Sequence, residues 1–247
     1  MKEINHIGTV DSGNTVSDYH PDEKERKISI HTSPLLREGE EWKLNFLDTP
    51  GYSDFIGDTK GCMRVADLSV IILSSIEGFE VGTEQVVGFT DEYELPRMFF
   101  LNRLDNEHAD FDRVLGTIKE RYGTGVVALQ FPVNQGEGFN QIVDLLRMKL
   151  LTFKGSEREK PQVSAIPDDL QDKASQMREQ LIEAAAETND ELLEKFFEEG
   201  TLTEEQIIKG LRSGIASRSI VPVLCGAGQK NFGTRQLLDF IGNFGPS

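Results

Sequence analysis

Lys43-Leu44-Asn45-Phe46-Leu47-Asp48-Thr49-Pro50-Gly51-Tyr52 is the stretch whose reading decides the fold. Trp42, Leu44 and Phe46 alternate with Lys43 and Asn45, the period of two expected of a β-strand. Pro50 has no amide to donate to a ladder and Gly51 permits unusual backbone angles, so the strand must end there. It leaves a carboxylate, Asp48, at its carboxyl end, followed by a turn. That is where open α/β sheets put their ligands.

Outward from this strand the chain alternates. Upstream, residues 1–27 are polar and carry the mixed charge run Glu23-Lys24-Glu25-Arg26-Lys27, expected as a solvated loop or frayed helix. A β pattern begins at residues 28–31, Leu35 and Leu36 continue it, and Glu38-Gly39-Glu40 turns it back toward Trp42 as an antiparallel hairpin. Downstream come a helix over 55–66, a β-branched strand over 67–73, and a helix over 83–93 with Thr83 as its cap. A strand over 96–101 and a helix over 109–122, ending at Gly123, follow. Such alternation predicts an α/β domain, a largely parallel sheet with helices on both faces.

The pattern then changes. A strand is expected over 126–133, residues 142–153 carry no clear period, and 155–161 are charged and linker-like. A long amphipathic helix covers 168–187, Asn189 caps a second that ends at Gly200, and Thr203 with Gln206 forms a capping box for a third. A strand over 220–225, Gly226-Ala227-Gly228 and a helix over 234–241 close the chain. The expected organisation is a core over 1–125, a mostly helical α+β insertion over 126–219, and a return to the core over 220–247.

Composition narrows the partners. The 247 residues hold 26 Lys and Arg against 42 Asp and Glu, a formal charge of −16, which argues against wrapping free DNA electrostatically. Cys62 and Cys225 lack paired spacing and read as buried free thiols in a reducing compartment. His6, His20, His31 and His108 are scattered, without metal-ligand spacing. The longest apolar run, 68–73, is far too short to span a membrane. The expectation is a cytoplasmic protein.

Three motifs stand in order, each expected after a buried strand: Asp48-Thr49-Pro50-Gly51, Asn102-Arg103-Leu104-Asp105 and Gly226-Ala227-Gly228. Each alone is common; the ordered set suits a guanine nucleotide. Asp105 can accept from the guanine N1–H and exocyclic amine, and adenine would leave that buried charge unpaired. Asn102 can hold the base edge, the Arg103 stem can cover the base face, and amides around Ala227 can meet the guanine O6. At the other end of the ligand, Asp48 can orient a water on Mg²⁺ and the Gly51 amide can meet a γ-phosphate. Ser29 offers a hydroxyl to Mg²⁺ from a loop ordered by the γ-phosphate.

In these motifs the chain resembles the GTPase domain of bacterial elongation factor G, inserted subdomain included. The resemblance runs through Asp11-Ser12-Gly13 with Val16-Ser17-Asp18-Tyr19, and through Glu25-Arg26-Lys27-Ile28-Ser29-Ile30, the first switch. Asp48-Thr49-Pro50-Gly51 with Asp54-Phe55 follows as the second switch, then Met63-Arg64-Val65-Ala66-Asp67 and Asn102-Arg103-Leu104-Asp105. Arg147-Met148-Lys149 and the stretch from Pro222-Val223 to Lys230-Asn231 complete it. It implies a translational GTPase that acts on the ribosome, converts GTP to GDP with Mg²⁺, and meets the ribosomal stalk protein through its insertion. A related ribosomal protection or release-factor-type GTPase is the nearest alternative; a stalk-binding fragment that turns over no nucleotide is another.

Two departures matter. The phosphate-binding loop G-x-x-x-x-G-K-[ST] does not occur, and neither does the strand that precedes it in the family. The expectation is therefore a chain truncated past that loop, with a P-loop-NTPase-type sheet lacking its first strand, inactive by itself and competent in the complete protein. Tyr52 stands where most members carry the His that positions the attacking water. A phenol with pKa near 10 donates a hydrogen bond but is a poor base, so a Tyr-variant branch with weak or differently triggered hydrolysis is expected.

Overall fold

The computed structural model describes residues 8–9, 12–39, 42–154 and 160–246, which fall into two compact units. One holds the chain up to Ala66 together with Val81–Leu95; the other holds Asp67–Glu80 and Pro96–Ser247.

In the first unit, helix α1 (Pro21–Arg26) leads to an antiparallel pair, β1 (Ser33–Glu38) and β2 (Lys43–Asp48), in register from Ser33 opposite Asp48 to Glu38 opposite Lys43. The expected hairpin is there, but it starts later than the β pattern suggested. Residues 28–31 are not strand, because the backbone amides of Ile30 and His31 are held by a side chain instead of a ladder. After the Pro50-Gly51 break, a 3-10 turn (Ser53–Phe55) runs into α2 (Ile56–Met63), which packs on α3 (Val81–Glu92). There the Lys60 ammonium meets Glu92 at 2.8 Å and lies 4.9 Å above the Phe89 ring.

The second unit is built on four parallel strands in the order β3-β4-β10-β5: β3 (Ser69–Ser74), β4 (Arg97–Asn102), β10 (Val221–Cys225) and β5 (Val126–Ala128). Met98, Phe99 and Leu101 of β4 and Val223, Leu224 and Cys225 of β10 are fully or almost fully buried, as expected of central strands covered on both faces. Helix α4 (Phe111–Tyr122) is capped by Asp110, whose carboxylate accepts from the Arg113 amide at 2.9 Å. It buries Phe111, Val114 and Ile118 completely. Helix α8 (Thr234–Phe244) closes the unit.

The expected strand over 126–133 is in fact two strands in two sheets. β5 joins the parallel sheet, while β6 (Gln130–Pro132) opens an antiparallel sheet, β6-β7-β8-β9, with β7 (Gln141–Asp144), β8 (Lys149–Thr152) and β9 (Gln162–Ser164). Leu129 is the hinge: its amide donates to Val223 of the parallel sheet and its carbonyl accepts from Leu145 of the other. Residues 126–128, expected to open the insertion, pair with β10 in the parallel sheet. The periodless stretch 142–153 is the β7–β8 hairpin, and part of the linker-like stretch, residues 155–159, lies outside the described residues. Helices α5 (Asp168–Ala186), α6 (Asp190–Glu199) and α7 (Glu204–Ala216) follow, with Asn189 capping α6 and Thr203 with Gln206 forming the capping box of α7. Cys225 is buried as expected, but Cys62 is half-exposed and contacts the Thr32 hydroxyl at 3.3 Å. Among the described residues no helix is long and apolar enough to cross a membrane.

Candidate functional site

In the second unit the ends of β4 and β10 bring two of the three motifs together. The Asn102 side chain accepts from the Gly228 amide at 2.8 Å, across 126 positions of sequence. The Leu104 amide donates to Gly226 at 3.2 Å, and the Gly226 amide returns to Leu101 at 2.9 Å. Arg103, between these bonds, has φ +65°, a left-handed conformation that costs a non-glycine residue about 1 kcal/mol or more and clusters at functional sites. Its guanidinium reaches Glu77 at 3.3 Å, and Glu77 in turn accepts from the Ser74 hydroxyl at the end of β3. Those bonds hold the Glu77 carboxyl below its usual range, the one from Ser74 most of all. Asp105, with 20% of its side chain exposed, has Lys230 3.5 Å away. Glu77 and Lys230 carried no signal in the strand-end motifs. They matter through contacts made by distant parts of the chain.

Gly226 is required by crowding. A Cβ there would lie 2.2 Å from the Phe232 carbonyl and 2.8 Å from the Phe100 ring. The Ala227 amide donates to Phe232 at 2.9 Å and the Phe232 amide donates back at 3.1 Å, so the Gly226-Ala227-Gly228 turn is tied down by its own backbone. The amides expected to meet guanine O6 thus have partners within the chain: Phe232 for Ala227 and the Asn102 side chain for Gly228.

In the first unit, Asp48, Ser29 and the residues about them form an acidic corner. The Ser29 hydroxyl donates to Asp18 at 2.8 Å, and Asp18, 8% exposed, also accepts from Thr15 at 3.2 Å. Asp48 is exposed as a residue, yet burial of its carboxyl end pushes its pKa up; a hydrogen bond from Ser17 opposes this, while the negative charges of Asp18 and Glu23 add to it. Glu23 departs most from expectation. It belonged to a charge run read as solvated, but it has no exposed surface. Its carboxylate accepts from the amides of Ile30 at 3.0 Å, His31 at 2.9 Å and His20 at 3.2 Å. Burial works to raise its pKa, and these three donors outweigh it and hold it low. A glutamate three residues after the cap position was the available signal, obscured by the charges around it.

The turn after Asp48 is anchored from α2. Buried Thr59 donates its hydroxyl to the Pro50 carbonyl at 3.1 Å. Thr49 is half-buried, and a Cβ on Gly51 would meet nothing within 4 Å. Tyr52 is 57% exposed at the start of the 3-10 turn, where its carbonyl accepts from the Phe55 amide at 3.0 Å.

A strand-end aspartate with a Pro-Gly turn in one unit, and in the other a parallel sheet flanked by helices with Asn102, Asp105 and Gly228 at its strand ends, define the class. This is an α/β domain of the GTP-binding type. The profile of the elongation factor Tu GTP binding domain matches residues 1–247, and the chain belongs to that family. A crystal structure of a protein from Thermus thermophilus superposes with a TM-score of 0.90 at 26% sequence identity, covering 97% of this chain. The chain spans 36% of the length of that protein.

Proposed function

We propose that this chain is the nucleotide-binding domain of an elongation factor G-like translational GTPase of the Tyr-variant branch, a cytoplasmic protein that acts on the ribosome. The observation that carries the reading is the Asn102–Gly228 hydrogen bond. It ties the Asn-x-x-Asp loop to the glycine turn, which supports reading the loop that carries Asp105 as a guanine-base site. Asp105 accepts the two guanine donors, with Lys230 beside it. The Arg103 stem covers the base and its guanidinium is held by Glu77.

In the first unit, the hard oxygen donors of the acidic corner suit Mg²⁺. Ser29 and Asp48, the latter through water, are the residues that would hold it. Burial of the Asp48 carboxyl, and beside it the negative charges of Asp18 and Glu23, disfavour its ionised form, a cost that a divalent cation would relieve. The ion would supply charge neutralisation between the phosphates. The residues' own parts are distinct: Gly51 offers its amide to the γ-phosphate, Thr59 fixes the turn that carries it, and Tyr52 donates a hydrogen bond to the attacking water without taking its proton. The insertion, residues 126–219, presents one of its acidic helices, α5 or α6, to the ribosomal stalk.

Residues 1–247 contain no G-x-x-x-x-G-K-[ST], so the main phosphate contacts are not supplied within them. The chain by itself is expected to hold GTP or GDP weakly; saturation with a fluorescent GTP analogue at low micromolar concentration, abolished by Asp105→Asn, would contradict this. With such a loop joined ahead of residue 1, Asp105→Asn is expected to shift preference from guanine to xanthine nucleotides. Unchanged guanine selectivity would overturn the base-site assignment.

A further inference from the structure

Sequence spacing suggested no metal site among the histidines, yet the first unit brings two of the chain's four together. His20 precedes α1, Asp22 lies in its first turn, and His31 follows the loop after it. One donor atom from each of the three lies within 4.8 Å of the others. His31 Nε2 is 3.3 Å from Asp22 Oδ2, and the His20 and His31 rings are 4.6 Å apart between centroids. The geometry points to a site for a divalent transition ion of the Zn²⁺ type, held by His20, Asp22 and His31 and open on its solvent side.

Three features support it. The donor set is chemically apt: two imidazoles and one carboxylate suit Zn²⁺ and its neighbours and are poor ligands for Mg²⁺ or Ca²⁺. The spacing is nearly closed. Ligands about 2.0–2.1 Å from a tetrahedral zinc lie about 3.3 Å from one another, the separation that His31 and Asp22 already have, so the His20 ring is the group that must swing.

The third feature is the backbone. Buried Glu23 accepts from the amides of both His20 and His31, so one carboxylate clamps the two histidine-bearing segments before any ion arrives. Asp22 Oδ1 accepts from the Glu23 amide at 3.1 Å, which turns Oδ2 toward His31. The chain entropy of joining segments 11 residues apart is thereby met by the fold, and a ligand set held this way binds more tightly than one on free loops. Access is open, because the His31 and Asp22 side chains are 45% and 47% exposed. A bound ion would cross-link the first turn of α1 to residue 31, and so keep Ser29, two residues earlier, where its hydroxyl donates to Asp18.

The test uses the untagged 247-residue chain, stripped with a chelator, without nucleotide, titrated with Zn²⁺ by calorimetry and with Co²⁺ by visible absorption. One equivalent is expected to bind, with a cobalt spectrum of low coordination number. Affinity should fall at least about tenfold in each of His20→Ala, Asp22→Asn and His31→Ala and stay unchanged in Cys62→Ser. All three substituted side chains are at least partly exposed, and matched far-ultraviolet circular dichroism checks the fold of each variant. Absence of saturable binding, equal affinity across the three variants and the unsubstituted chain, or loss of binding in Cys62→Ser would each overturn the assignment. No nucleotide takes part, so the outcome is separable from that of the guanine-site experiment.

Discussion

Glu23 offers the sharpest test of how the acidic corner is built. Replacing it with Ala removes one buried acceptor group that serves three backbone amides, at 2.9, 3.0 and 3.2 Å. A hydrogen bond to a charged group contributes about 1.5–3 kcal/mol, and a buried donor left unpaired costs about 1–3 kcal/mol. Summed naively, three such losses exceed what a loop of this size can sustain. The segment is therefore expected to open locally and hydrate its amides, which caps the loss at about 3 kcal/mol. At 1.36 kcal/mol per decade, that is roughly a hundredfold fall in hydrogen-exchange protection at His20, Ile30 and His31. Amides in α4 should change little, since α4 belongs to the other compact unit.

Acidity gives a second arm to the same experiment. The Glu23 carboxyl titrates below its ordinary value of 4.5 in the folded chain, so the native state binds fewer protons than the unfolded one between those two values. Its contribution is complete above about pH 4.5 and is lost as pH falls through the native value. Glu23→Gln keeps one oxygen that can serve Ile30 and His31 but turns an amide group toward the His20 N–H. It should lose protection mainly at His20 and show none of the acid dependence. Equal protection of the three amides in wild type and Glu23→Ala at pH 7 would refute the reasoning.

Two further outcomes follow from crowding and charge. Gly226→Ala should destabilise the second unit severely, by about 3 kcal/mol or more in urea melts, because its Cβ would meet a backbone carbonyl at 2.2 Å that cannot move without breaking the Ala227–Phe232 pair. Gly228→Ala, whose Cβ would sit 3.4 Å from the Asn102 amide group, should stay within about 0.5 kcal/mol; equal effects of the two would contradict the crowding account. Asp48→Asn should leave the nucleotide-free chain at neutral pH as stable or a few tenths of a kcal/mol more stable, since the exposed Asp48 carboxyl is raised by burial and by Asp18 and Glu23. That gain should shrink as pH falls through the raised native value and vanish below 3.8, where the wild-type carboxyl is protonated in both states. A less stable Asp48→Asn at pH 7 would be the contrary result.

Much was legible in the sequence because local periodicity and capping chemistry act within a few residues. The alternation around β2, the apolar runs of β3, β4 and β10, and the caps Asn189 and Thr203 all appear where expected. The expected cap at Thr83 does not: α3 begins at Val81, so that threonine lies within its first turn. Residues 126–133 read as one strand because nothing local marks Leu129 as the point where the backbone changes partners. The choice between Val223 and Leu145 depends on strands about 94 and 16 positions away, and no window of sequence contains it.

The sequence by itself determined the α/β class, the three strand-end motifs in order, and the absence of a G-x-x-x-x-G-K-[ST] from these residues. These rest on hydrophobic period, turn chemistry and residue identity, which need no neighbours in space. Tertiary structure decided which charges are solvated and which are buried. Glu23 sits in a run of five charged residues, and only the return of Ile30 and His31 to its carboxylate takes it out of water. The same return joins His20 and Asp22 to His31, residues whose spacing of 2 and 9 carries no metal signature on its own. Side-chain identity sets what each group can bond, but the fold sets which partners arrive, and for a buried charge that arrival decides whether it can be there at all.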